Sequence, residues 1–328
     1  MKTICYASSF VPPEWIAAHS LRPVRVMPGR EDNIPGAVTG MCPFVRYLVS
    51  SLMTHPLPGG IILTTECDQM RRAADILRLE SRVPVFLLNV PRTRSGRGTF
   101  RLYLSELRRM SDFFEKAGGT RPGPGRVSDA AQAFEGIRTG LLAVRESVCA
   151  KDFVRLITNY PDQGKAMKTT PLSRSPEKRG VPLMITGGPL CRHEEWIFDV
   201  IRDAGGEVVC NACENGELFL PRRFDRRALS SGPLTEIASA YFDIPSPVFR
   251  PNNRLYKRIG EEIRTRAVQG LIYRRYVWCD TWHAEEQNFR EQFDIPVVSL
   301  DITAEDNTVS RCTTRIQAFL EILRQGPC

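Results

Sequence analysis

The chain has 328 residues, 45 Lys and Arg against 37 Asp and Glu, and a formal charge of +8. Apolar residues make up 42% and charged residues 25%, which excludes disordered and fibrous classes and leaves a folded chain with room for two domains. No apolar run approaches the roughly 20 residues a bilayer span needs. The start, MKTICYASSFVPPEW, lacks the apolar core of a secretory leader, and the basic residues are spread without a nucleic-acid motif; the expectation is a cytoplasmic chain with neither a membrane nor a nucleic-acid partner.

In chain order, short apolar runs alternate with helical patterns. TICYASSF, PVRVMP, GGIILTT and VPVFLLNV read as strands, while CPFVRYLVSSLMTH, DQMRRAADILRLE and FRLYLSELRRMSDFFEKAG read as helices. That is the rhythm of βαβ units and a mostly parallel sheet. Asp129 to Tyr160 reads as helix only, and the polar, Pro- and Gly-rich stretch Pro161 to Gly180 reads as a linker or surface loop. The rhythm then restarts with VPLMITGG, a helix from about His193 to Asp203, GEVVCNA, a helix around Asn253 to Arg266, QGLIYRRYVW, a further helix, IPVVSLDI and a last helix through TTRIQAFLEIL. The expected division is an α/β domain over 1–125, a helical insert and linker over 126–180, and a second α/β domain over 181–328.

The two halves echo each other. GGIILTTECD followed by VPVFLLNV parallels QGLIYRRYVWCD followed by IPVVSLDI, with 17 positions from Cys67 to Pro84 and 17 from Cys279 to Pro296. An ancient duplication is expected. In open parallel sheets ligands sit beyond the carboxyl ends of the strands, where Cys67 and Cys279 both fall, each followed by Asp and a helix. Cys42, in TGMCPFVRYL, also precedes a helix, where backbone N–H groups and the helix dipole favour a thiolate.

Ten cysteines in a reducing compartment point to ligation, catalysis or simple burial. A single Cys after a buried strand is usually a small core hydrophobe, but three at matching junctions form a constellation. Zinc would want paired ligands, and the one CxxC, Cys210 to Cys213, has no second pair at zinc-finger spacing; a redox pair, ligation and packing all remain open for it, with packing preferred. Three widely spaced thiolates suit an iron–sulfur cluster whose fourth iron is open or has a non-cysteine ligand, and such an iron can act as a Lewis acid towards a substrate oxygen. No GxxxxGK[ST] phosphate loop is present.

TGMCPFVR, GGIILTTECDQMRR, VFLLNVPR, MITGGPL, VWCD and TRIQAFLEIL, in that order, resemble the 2-hydroxyacyl-CoA dehydratase and benzoyl-CoA reductase family in its cluster-bearing subunits. The resemblance implies two Rossmann-like α/β domains with parallel sheets plus helices, and a 4Fe-4S cluster in the inter-domain cleft on Cys42, Cys67 and Cys279. It further implies ketyl-radical chemistry on an acyl-CoA, driven by low-potential electrons from a separate activator ATPase. A related cluster-bearing subunit would complete a heterodimer, or the chain would pair with itself. Glu14, in FVPPEW, is similar to the family's VPEE element and is the expected acid/base residue; His19, one turn on, reads as structural. Arg46, Arg71 and Arg72 are candidates for CoA phosphates. Departures are the short middle region, Asn89 where relatives carry an acidic residue before VPR, and SRCTTR before the last helix. Double-cubane proteins, a related branch, hold eight irons with extra cysteines; Cys191 and Cys213 lie near two of those positions, but Ser246 stands where that branch has Cys, so the single cubane is preferred. The alternative functions are a double-cubane reductase of small molecules and a non-catalytic partner or scaffold subunit.

Overall fold

A computed structural model describes residues 1–30, 36–38, 40–54, 59–162, 180–304 and 307–325. Most of the expected linker, 163–179, and Cys328 lie outside the described residues. The first half builds β1 (Thr3–Tyr6), β2 (Arg22–Arg25), β3 (Gly60–Thr64) and β4 (Val85–Leu88) into one sheet of order β2-β1-β3-β4. The second builds β5 (Val181–Gly187), β6 (Gly206–Cys213), β7 (Gly270–Tyr276) and β8 (Val297–Ile302) into the order β6-β5-β7-β8. Every pairing is parallel. The fold is therefore α/β with two Rossmann-like sheets, and their identical strand orders agree with the internal echo in the sequence.

Local chemistry explains the elements. All five residues of β3 are buried, as expected where helices cover both faces of a parallel sheet. Helix α3 (Asp68–Glu80) buries Met70, Ala73, Ala74 and Leu77, a spacing of three and four that forms one apolar stripe, and leaves its charged residues to solvent. The earlier helices are α1 (Pro13–Ala18) and α2 (Pro43–Thr54); α4 (Arg97–Lys116), α5 (Pro124–Ala143) and α6 (Ala150–Asn159) follow α3. The expected helical stretch from Asp129 thus begins five residues earlier and breaks after Ala143. In the second half, helices span Trp196–Asp203, Asn253–Thr265, Asp280–His283, Glu286–Gln292 and Thr308–Gln325.

Two further helices, Arg226–Ser231 and Pro233–Phe242, had no amphipathic signature. The second buries Pro233, Glu236, Ile237, Ala238, Ala240, Tyr241 and Phe242, almost all the way round, so it carries no polar stripe for a periodicity reading to find. It packs against α4 and α5.

The two halves share core. One apolar cluster joins Phe10, Trp15 and Ile62 to Tyr273, Trp282 and Phe289, and another joins Leu63 and Met70 to Ile185 and Ile272. The chain leaves β1, forms the outer strand β2 and returns on the other side as β3, so the crevice between the ends of β1 and β3 is a topological switch point; β5 and β7 repeat the arrangement. Gly187 closes β5 with φ +144, where an added Cβ would lie 1.8 Å from the carbonyl oxygen of Arg274 on β7, so only glycine lets the strands approach there.

Candidate functional site

Both switch points open onto one cavity of about 70 Å³. From the end of β1 come Ala7, Ser8 and Ser9; from beyond β3, Glu66, Cys67 and Met70; from the start of α2, Cys42, Phe44 and Val45. The second half adds Pro189 after β5, Glu214 after β6, Tyr276 at the end of β7, and Cys279, Thr281 and Trp282 beyond it. The three cysteines singled out by position in the sequence therefore line the same space. Trp278, immediately before Cys279, has a φ of 68°, a left-handed conformation that costs a bulky residue about 1–3 kcal/mol; this turn joins β7 to the helix that Cys279 precedes.

All three thiols are free. Burial, the largest effect, pushes Cys42 well above the ordinary thiol range, with Cys279 and Cys67 adding to the rise. It pushes Cys67 up to about 12 and Cys279 to about 11. The backbone N–H three residues on, at Val45, Met70 and Trp282, partly offsets each rise, without hydrogen-bond geometry at Cys67 and Cys279. As bare thiols they stay protonated at neutral pH. A bound metal reverses that preference and releases the protons.

The donor set fits an iron–sulfur cluster. It is three soft sulfurs in a wall that is apolar over Phe44, Val45, Met70 and Val248. Among the described residues, no three Cys, His, Asp or Glu side chains converge on a single ion, and a cubane does not ask them to, because each thiolate binds a different iron.

Two carboxylates and one arginine complete the cavity. Trp282 Nε1 donates to Glu214 Oε1 at 2.6 Å, and Thr64 Oγ1 donates to Glu66. Burial first, then the nearby Glu66 charge, raises Glu214 to about 8; burial also raises Glu66. Arg25 Nη2 donates to Ser9 Oγ at 2.7 Å and to the Glu214 carbonyl at 3.2 Å. None of these three was singled out in the sequence. The available signal was position, since each closes or follows a strand at its carboxyl end. Alongside lies a second space of about 230 Å³ that shares Glu66, Cys67, Val248 and Thr281 and adds Asp68, Arg92, Arg250 and Asp280.

Other sequence candidates fall elsewhere. Glu14 is fully buried, ion-paired with Arg138, and accepts a hydrogen bond from Tyr241 at 2.7 Å; it lines neither space. His19 is buried between the Trp15 carbonyl at 2.8 Å and Ser111 Oγ at 3.1 Å, a structural setting. Arg71 and Arg72 are exposed on α3 and Arg46 is half-buried on α2; Arg92 and Arg250 are the arginines beside the cavity. Asn89 accepts from Thr65 Oγ1 at 3.0 Å. Cys210 and Cys213 enter different core clusters. Three positions apart on a strand they face opposite ways, so both pack and neither closes a redox pair with the other. Cys191, Cys213 and Ser246 are buried and outside the cavity lining.

Comparison with known proteins adds the lineage. Residues 8–323 match the family model described as 2-hydroxyglutaryl-CoA dehydratase, D-component. Over 149 residues the chain is 24% identical to a protein of Escherichia coli (strain K12) named "Putative dehydratase subunit YjiM", covering 43% of this chain and 37% of that protein. The match thus spans well under half of that relative. A structure titled as a mutant laminin-binding adhesin (Lmb) from Streptococcus agalactiae aligns over 98% of both chains at 11% identity with a TM-score of 0.21, too low to carry an argument. Among the described residues no helix is long and apolar enough to cross a membrane. On the family match, which runs from the end of β1 into the last helix, the chain belongs to the 2-hydroxyglutaryl-CoA dehydratase D-component family.

Proposed function

We propose that the chain is the iron–sulfur subunit of a 2-hydroxyacyl-CoA dehydratase-like enzyme, holding a 4Fe-4S cluster on Cys42, Cys67 and Cys279. The observation that carries the reading is the convergence of three thiols, from two equivalent switch points and one helix start, on a single cavity. Such a cluster, when bound, supplies low-potential one-electron chemistry and an iron with a free coordination position.

The chain's own residues shape the rest. Phe44, Val45, Met70, Val248 and Trp282 give the cavity a largely apolar wall, which strengthens the charge interactions inside it. Arg25 is the cation there, anchored on Ser9 and on the Glu214 carbonyl. A general acid or base must come within hydrogen-bond reach of the substrate. Glu66 and Glu214 meet that condition for a substrate in the cavity; Glu14, paired with Arg138, holds the α1 to α5 contact instead. An acyl-CoA substrate would enter through the adjoining space, whose lining sets Arg92 and Arg250 beside Glu66, Asp68 and Asp280. Electrons come from a separate activator ATPase, and a related subunit completes the enzyme, as the D-component family match favours.

The test is an iron and acid-labile sulfide count on anaerobically reconstituted protein. About four of each per chain supports the reading. About eight supports the double cubane, and none removes the cluster altogether.

A further inference from the structure

A buried ion pair lies directly behind the cavity wall. Arg274, on β7, is 1% exposed. Its Nη2 donates to Glu194 Oε2 at 2.8 Å, and its Nη1 donates to the carbonyls of Gly188 at 2.8 Å and Pro189 at 3.2 Å. Tyr276, two residues on and therefore on the same face of the strand, lines the cavity. Its hydroxyl donates to Glu194 Oε2 at 2.6 Å and lies 3.2 Å from Cys191 Sγ. The guanidinium carbon sits 4.5 Å from the centre of the Tyr276 ring. Glu194 Oε2 accepts a further hydrogen bond, from the Cys191 N–H at 2.8 Å.

Stability alone is a weak reason for this arrangement, because apolar residues of similar volume often replace buried ion pairs without loss. Its place is more telling. Pro189 and Tyr276 are wall residues, and both are held by the pair. A fixed charge one side chain behind a largely apolar wall acts strongly on any charge that changes inside.

We propose that Arg274, held in place by Glu194 and Tyr276, tunes the reduction potential of the cluster in the cavity; this inference rests on the cluster reading above. Reduction adds one electron, and one negative charge, from a low-potential donor, with no bond made or broken. Arg274 favours that added charge and Glu194 opposes it, so their removal must act in opposite directions. Hydrogen bonding and charge around the sulfurs are recognised levers on such potentials.

The experiment is a dithionite titration of the anaerobically reconstituted full chain, followed by electron paramagnetic resonance. Arg274→Met should move the midpoint to more negative potential and Glu194→Gln to more positive potential, while Arg274→Lys stays close to the parent. Equal-sign shifts, or an unchanged midpoint in Glu194→Gln, would overturn the proposal. Glu194→Gln is nearly isosteric, so it decides the matter alone if Arg274→Met does not fold. A parent chain that assembles no cluster overturns the cluster reading and this inference with it, an outcome distinct from an intact cluster with unmoved midpoints.

Discussion

Replacing Glu14 by Gln separates a structural glutamate from a chemical one. Glu14 is fully buried and Arg138 is 4% exposed, so solvent screens neither. Burial works against the Arg138 charge, and Glu14, with Tyr160 and Tyr241, more than offsets it. The guanidinium lies 5.0 Å from the Phe224 ring centre, which cannot substitute for a carboxylate. Removing one partner of such a pair leaves an uncompensated buried charge, at a cost of about 3–5 kcal/mol. The amide can still accept from Tyr241, so the charge is the main thing lost. For 328 residues each kcal/mol is worth about 1.5 °C, so the melting midpoint should fall by roughly 4–7 °C. The double change Glu14→Leu with Arg138→Met should recover most of that, because no lone charge remains. The assay is thermal unfolding of the iron-free chain beside turnover per cluster of the assembled enzyme. A Glu14→Gln protein that melts like the parent but has lost turnover would refute the argument and return Glu14 to the acid/base role its VPPE setting implied.

Three further expectations follow from the geometry. Ala at Cys42, Cys67 or Cys279 should each lose bound iron, whereas Cys210→Ala and Cys213→Ala should keep it, since those two thiols pack into opposite faces of the second sheet; iron analysis after reconstitution checks this. Burial holds His19 below its ordinary value of 6.5, so the folded state binds the proton less well than the unfolded chain. The His19 contribution to stability is therefore present above that value and is lost as pH falls through the folded one, and His19→Gln should flatten that part of a stability–pH curve measured by urea unfolding. Gly187→Ala must adopt a φ near +144 and push against the Arg274 carbonyl, and should cost more than about 1–3 kcal/mol of stability in the same unfolding assay.

Much of the fold was legible because its signals are local. The strands are short apolar runs buried on both faces, and Asp68–Glu80 announces itself by apolar spacing. The cysteines were legible because the internal echo sets Cys67 and Cys279 at matched strand ends, and because Cys42 stands at a helix start. Helix Pro233–Phe242 was not, since a helix buried on nearly all sides has no polar stripe. The setting of Glu14 was also hidden. Its partners, Arg138 and Tyr241, lie 124 and 227 positions away, and no short motif encodes a contact of that range. Arg92 and Arg250 escaped for the same reason, as loop residues brought beside the cavity only when both halves meet.

The central claim is that Cys42, Cys67 and Cys279 hold a cubane with one iron free of cysteine. Mössbauer spectroscopy of protein reconstituted with ⁵⁷Fe tests it most directly. The account predicts about four irons per chain with one distinct from the other three, its signal shifting when an anionic ligand is added. Four equivalent thiolate-bound irons, a mononuclear iron signal, or no bound iron would contradict it.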